Sequence, residues 1–142
     1  MLLQQVVAAA RRKVLPVSVV FWEIDGLAGA APAARDQAVT ALGAVTWRSL
    51  RESDALFRLG DAVAVGVLVD TAEPGAVQVA QRVRDALRAS AVGDSITVSA
   101  GIACYPTHAL DAAELVSRAG QALEAARASG FARDHVAVAP PE

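Results

Sequence analysis

The sequence predicts an α+β fold in which a mixed, mostly antiparallel sheet is covered by helices. Three observations carry that prediction. β-Branched and aromatic runs alternate with segments of helical spacing, in the order β-α-β-β-α-β-α-β. Two strands are adjacent mid-chain, and the residues between them suit a tight hairpin, which imposes antiparallel pairing there. The chain has 142 residues, of which 54% are apolar, enough for one real core and too many for a disordered chain.

Each element has its own warrant. In "MLLQQVVAAARRKVL" the charges follow the apolar run, the reverse of a signal peptide. No apolar run approaches the roughly 20 residues needed to span a bilayer. Residues 1–15 therefore read as a short helix, the stub of a longer chain. "VSVVFWEI" (Val17–Ile24) reads as a buried strand, and "GLAGAAP" as a loop. From about Ala33 to Leu50, apolar Ala38, Leu42 and Val45 recur at helical spacing. "ALFRL" and "AVAVGVLV" form the hairpin, with Gly60 and Asp61 at its turn. Pro74 suits the first turn of a helix running to about Ser90. "SITVSAGIAC" (Ser95–Cys104) is the next strand. Asp111 and Glu114 have capping-box spacing and open a helix to about Ser129, with Gly130 as its stop. "HVAV" (His135–Val138) makes a final edge strand, and residues 139–142 a tail. With no repeat, linker or composition break, residues 1–142 read as a single domain.

Charge and cysteine content exclude several classes. A formal net charge of −2 gives no basic field for nucleic acid. Lys13 is the only lysine, so nearly all positive charge is arginine. Arginine suits planar, bidentate recognition of carboxylates, phosphates and guanine, although a GC-rich genome gives the same bias. Cys104 is the only cysteine, which excludes an internal disulfide or a cysteine zinc cluster and suits a reducing, cytoplasmic compartment.

The stretch Arg51–Val69, "RESDALFRLGDAVAVGVLV", sets a dense charged cluster before a strand without acid, base, hydroxyl or thiol. Its first part is similar to the "RxSDxxxRxGGDEF" hairpin of the diguanylate cyclase, or GGDEF, domains. Other motifs follow in order: "VVFWEID" resembles the family's first strand ending in Asp-x-Asp, "ITVSAGIACYP" its "TVSxGIAxxP" strand, and "SRAGQALEAARASG" its "xxADxALYxAKxxG" helix. Together they span about Pro16 to Val138. The resemblance implies a nucleotide-cyclase-like fold built on a ferredoxin-like palm. It also implies condensation of two GTP into cyclic di-GMP by two domains meeting face to face, with divalent metal on acidic ligands.

Set against the family's pattern, this sequence departs at most catalytic positions. Glu23 stands at the first acid of Asp-x-Asp, and Asp25 at the second. Gly60 keeps the first signature glycine, Asp61 replaces the second, and Ala62, Val63 and Ala64 stand where the acids and phenylalanine belong. Sliding the alignment by one residue makes Asp61 the acid but leaves Val63 at the next one. "GLAGAAPAARD" is about four residues short of the guanine-reading segment, with Asp36 alone matching its closing Asp. Arg127 replaces a phosphate-binding Lys, Phe131 a phosphate-binding Arg, Gly120 an Asp and Glu124 a Tyr. The expectation is a catalytically inactive domain with a vestigial active site at Glu23, Asp25, Asp36, Gly60, Asp61 and Arg127, with no bound metal and no cofactor.

One family site keeps its form. The inhibitory product site is marked by "RxxD" ending five residues before the signature, as "RESD" (Arg51–Asp54) does here, and a further Arg maps to Arg82. The chance occurrence of "RxxD" at Arg82–Asp85 shows that position, not the four letters, carries the signal. Arginine pairs two donors with guanine O6 and N7, a carboxylate accepts from the N1–H and N2–H edge, and a second arginine suits a phosphate. On a last helical turn, residues three apart lie on one side. The expected partner is cyclic di-GMP at Arg51, Asp54 and Arg82, with no nucleic acid and no membrane contact.

Two rival readings remain. One is a ligand-free module for dimerisation or a partner protein, using the apolar "GDAVAVG" hairpin. The other is residual GTP binding or weak nucleotidase activity through Glu23, Asp36 and Arg127. The remaining residues have bland expectations: Glu23 and Asp25 a solvated strand end, His108 and His135 at the surface, Cys104 in the core, and Ser99 without a histidine partner. Trp22 and Trp47 are expected in core or dimer packing, and Arg11, Arg12 and Lys13 at a solvated helix end.

Overall fold

The computed structural model describes residues 2–13, 15–27, 29–60, 62–93, 96–128 and 136–140. Asp61, Ser95, Gly130, Phe131, His135 and the last two residues of the tail lie outside the described residues. The elements are α1 (Leu2–Lys13), β1 (Val17–Asp25), α2 (Pro32–Ser49), β2 (Ala55–Leu59), β3 (Val63–Val69), α3 (Glu73–Arg88), β4 (Thr97–Tyr105), α4 (Ala112–Arg127) and β5 (Val136–Val138).

The strands form one sheet in the order β2-β3-β1-β4-β5. β1 is central and antiparallel to both β3 and β4, β2 is antiparallel to β3, and only β4–β5 is parallel. This is the mixed, mostly antiparallel α+β architecture that the central hairpin implies. The period-2 alternation of β1 divides the core between the two faces of the sheet. Val20, Trp22 and Ile24 pack with Leu42 and Val45 of α2 and Ala76, Ala80, Val83 and Leu87 of α3. Val17, Val19 and Phe21 pack with Leu3, Val7 and Ala10 of α1 and Leu115, Ala119, Ala122 and Leu123 of α4. Each fully buried Val, Leu or Ile contributes roughly 1.5–3 kcal/mol, so this double-faced core is the main source of stability.

Small residues set the spacing between layers. A Cβ on Gly101 of β4 would stand 2.2 Å from the Leu123 nitrogen and 2.4 Å from the Ala119 carbonyl oxygen, so α4 lies with its backbone against the sheet there. On the other face, a Cβ on Gly66 of β3 would stand 2.9 Å from the ring of Trp22, which is fully buried. The caps follow the sequence: Asp111 accepts from the Glu114 N–H at 2.8 Å, and α2 and α3 each carry proline in the first turn.

Two expectations are corrected and one is narrowed. The apolar half of the hairpin is not a surface, because Ala64–Leu68 are buried in the sheet; the exposed apolar residues lie on β2, at Phe57 and Leu59. Trp47 is 72% exposed on α2, so of the two places expected for it the core is excluded and an interface is left. His108 is buried: its Nδ1 accepts from the Cys104 N–H at 2.8 Å as the chain turns from β4 toward α4.

Candidate functional site

Two groups of side chains emerge, at opposite ends of β3. The first lies where β1 ends. Glu23 and Asp25 alternate onto the face of β1 covered by α4, and the last turn of α4 carries Arg127. Arg127 Nη1 is 2.9 Å from Glu23 Oε2, and its Nε is 3.5 Å from Asp25 Oδ1. The β1–β4 register sets Asp25 opposite Thr97 and Glu23 opposite Ser99. Both hydroxyls donate to Asp25 Oδ2, at 3.0 Å from Thr97 and 2.8 Å from Ser99. Asp25 is thus a buried, paired carboxylate, not a solvated strand end.

The hairpin reaches the same place. Glu23 pairs with Val63, and Ile24 N–H donates to the Ala62 carbonyl at 3.0 Å. Gly60 turns there with a φ of 65°, a left-handed conformation that glycine adopts without strain. Asp36 is exposed on α2, where it lines a groove of about 620 Å3 with Thr40, Arg48 and Val92. The fold therefore brings together Glu23, Asp25, Arg127 and the hairpin end, and sets Asp36 along a separate groove.

The resemblance implies a divalent ion on these acids, and the donor set among the described residues does not fit one. Glu23 already faces the Arg127 guanidinium, and one Asp25 oxygen is taken by two hydroxyls. Ala62 and Val63 bring no side-chain oxygen, and the Ala62 carbonyl is taken by the Ile24 N–H. Among the described residues no group of three or more His, Cys, Asp or Glu is placed to hold a metal ion.

The second group lies at the far end of β3, in a cleft of about 310 Å3 between the α2–β2 turn and α3. Arg51, Asp54, Asp70, Thr71, Gln78 and Arg82 contribute to its lining. α2 ends at Ser49, so Arg51 and Asp54 lie in the following turn rather than on a helix, closed by the Asp54 N–H to the Arg51 carbonyl at 3.0 Å. The Asp54 carboxylate is nearly inaccessible: Oδ2 accepts from the Arg51 N–H at 2.9 Å, and Oδ1 from the Val69 N–H at 3.2 Å. It ties the turn to the end of β3. The Arg51 side chain is exposed, and its Nη2 donates to the Val69 carbonyl at 2.7 Å and to Thr71 Oγ1 at 2.6 Å. Arg82 on α3 donates through Nη1 to the Ser49 carbonyl at 3.2 Å, capping the end of α2. The structure thus brings Arg51, Asp54 and Arg82 to one cleft.

Sequence reasoning missed Thr71 here and the hydroxyl pair Thr97 and Ser99 in the first group. An alternating Thr-x-Ser on one face of a strand was visible, but its acidic partner depends on register. Cys104 and His108 form a third cluster, both residues being buried. Ser18 Oγ lies 3.0 Å from Cys104 Sγ and gives its hydroxyl hydrogen to the Thr71 carbonyl at 2.7 Å. Burial pushes the Cys104 thiol up. Burial pushes the His108 imidazole down, against the pull of Glu73.

Comparison with known proteins agrees with this architecture. The family model "Diguanylate cyclase, GGDEF domain" matches residues 2–133. The active GGEEF domain of a diguanylate cyclase from Vibrio cholerae is 20% identical, with a TM-score of 0.87 over 99% of this chain and 93% of that one. The GGDEF domain of PA1120 (YfiN or TpbB) from Pseudomonas aeruginosa is 24% identical, with a TM-score of 0.86 over 99% and 92%. The GGDEF domain of DgcB from Caulobacter crescentus, solved in complex with c-di-GMP, is 19% identical, with a TM-score of 0.85 over 96% and 85%. No curated protein matches the chain.

Proposed function

This chain belongs to the diguanylate cyclase GGDEF domain family, and from that membership we propose that it is a catalytically inactive member that binds cyclic di-GMP. The observation that carries the ligand is the cleft holding Arg51, Asp54 and Arg82 together. Arg51 supplies planar donors for a guanine edge, and Arg82 a second guanidinium for a phosphate. A structural relative solved with c-di-GMP makes the ligand class a reasonable one for the fold.

Loss of cyclase activity rests on the other group. Condensing two GTP requires divalent cations on carboxylates, and here Arg127 stands against those carboxylates as an internal cation. The same pairing argues against residual GTP binding through Glu23, Asp36 and Arg127, since Arg127 is engaged and Asp36 lines another groove. In this reading the chain is one regulatory domain.

Calorimetry with pure cyclic di-GMP tests the proposal. Binding to the parent protein is expected, and Arg51→Ala should weaken it by roughly tenfold or more, the effect of one bidentate contact. No heat at high micromolar ligand, or equal binding by Arg51→Ala, would refute it.

The exposed apolar residues favour one second reading, a dimerisation or partner-binding module. Trp47 on α2, and Phe57 and Leu59 on the edge strand β2, offer aromatic and aliphatic surface of the kind that interfaces use. Absence of nucleotide binding with a concentration-dependent dimer in sedimentation would support this reading over the first.

A further inference from the structure

Among the described residues two carboxylates line the cleft at the end of β3, those of Asp54 and Asp70, and they stand in opposite states. Motif position gives Asp54 the task of accepting from the N1–H and N2–H edge of a guanine, and the fold withholds it from that task. Its side chain is 3% exposed, Oδ2 accepts from the Arg51 N–H at 2.9 Å, and Oδ1 from the Val69 N–H at 3.2 Å. A base reaches these oxygens only by breaking the turn that presents Arg51. Asp70 is exposed in the same cleft. A carboxylate offers two acceptors in one plane, the complement of paired N1–H and N2–H donors. The amide of Gln78, which also lines the cleft, sets an acceptor beside a donor and does not match that edge.

The backbone sets Asp70 beside Arg51. Arg51 Nη2 lies 2.7 Å from the Val69 carbonyl and 2.6 Å from Thr71 Oγ1, so the guanidinium is held by the residues on either side of Asp70. Asp70 itself has a φ of 48°, a left-handed conformation that Asp and Asn adopt more readily than most residues, where β3 ends and the chain leads into α3. We propose that Asp70, outside the RxxD motif, is the residue that reads the N1–H and 2-amino edge of guanine at this cleft, while Asp54 holds the turn. This rests on the reading of the cleft as a cyclic di-GMP site. Arg51 then takes guanine O6 and N7, and Asp70 the adjoining edge. A carboxylate that merely lined the cleft would act in the opposite sense: it would repel the ligand's phosphates, and its removal would tighten binding.

The test is calorimetry of the parent, Asp70→Gly and Asp70→Asn with two ligands: cyclic di-GMP, and cyclic di-IMP, whose hypoxanthine keeps O6, N7 and N1–H but lacks the 2-amino group. Gly suits the left-handed backbone and removes the carboxylate. Asn keeps the shape and turns one acceptor into a donor. The parent should prefer cyclic di-GMP by roughly tenfold, the effect of one hydrogen bond to a charged acceptor. Both variants should bind cyclic di-GMP roughly tenfold or more weakly and should hold the two ligands equally. Unchanged or tighter binding of cyclic di-GMP by Asp70→Gly overturns the assignment while leaving the cleft reading in place. Equal binding of the two ligands by the parent overturns it too, and so does a preference for cyclic di-GMP that survives in both variants. If the parent binds neither ligand, the cleft reading and the assignment fall together.

Discussion

Arg127 Nη1 lies 2.9 Å from Glu23 Oε2, joining the last turn of α4 to the end of the central strand. The same guanidinium faces Asp25, whose side chain is almost fully buried. Removing the cation takes the Arg127 charge away from a buried carboxylate that the Thr97 and Ser99 hydroxyls still contact. Arg127→Met should therefore destabilise the protein by about 1–3 kcal/mol, less than a fully buried pair because Arg127 is partly solvated. Urea unfolding measures this. Magnesium should leave the unfolding midpoint of the parent unchanged; a magnesium-dependent rise would show that metal competes with Arg127 for the acids.

Gly101 has a different importance. Its place in "TVSAGIA" is legible in the sequence, but the reason is not. A β-carbon there would meet the α4 backbone at Leu123 and Ala119, and backbone cannot move aside as a flexible side chain can. Gly101→Ala should cost stability toward the upper end of about 1–3 kcal/mol. Gly43, within α2, is the control: a β-carbon there meets nothing within 4 Å. Gly43→Ala should stabilise by about 0.5–1 kcal/mol through helix propensity. Thermal unfolding of the two variants should move in opposite directions.

What the sequence made legible was local, and what it hid was long-range. The Asp111 cap, the Pro74 helix start and the Gly60 turn each depend on a few neighbouring residues, so type and spacing reveal them. The buried state of Asp25 depends on Thr97 and Ser99, 72 and 74 residues away, and only the β1–β4 register brings them together. His108 looked like a loop histidine because its hydrogen bond is to a backbone N–H, which no side-chain pattern reveals. For the Arg51 cleft, the residues were readable from motif position, while their present partners, Val69 and Thr71, depend on how the α2–β2 turn meets β3.

His108 should make stability depend on pH. Its Nδ1 accepts from the Cys104 N–H, so the neutral ring carries its proton on Nε2, facing Glu73 at 3.6 Å. Burial lowers its pKa in the folded state, Glu73 opposes this and Arg118 adds to it. The unfolded chain therefore takes up the proton first as pH falls. The stability from neutral His108 is present above the ordinary imidazole range and is lost as pH drops through that range. In His108→Gln, urea midpoints should be lower at neutral pH but fall less steeply on acidification. An equally steep acid decline in that variant would assign the effect to other groups.

Arg51 and Asp54 should separate when mutated, although they belong to one motif. The Asp54 carboxylate is 3% exposed and bonds two backbone N–H groups, of Arg51 and Val69, while the Arg51 side chain is 60% exposed. Asp54→Ala leaves those two donors without their acceptor and should destabilise by about 1–3 kcal/mol. Asp54→Asn keeps one acceptor oxygen and should cost less. Arg51→Ala removes hydrogen bonds that water can replace and should change stability by about 0.5 kcal/mol or less. Ligand binding lost in Asp54→Ala is therefore ambiguous, because the turn that presents Arg51 is loosened with it. Loss in Arg51→Ala, at an unchanged urea midpoint, is the result that would identify direct recognition. Comparing midpoints and affinities for the three variants separates the group that shapes the cleft from the group that reads its ligand.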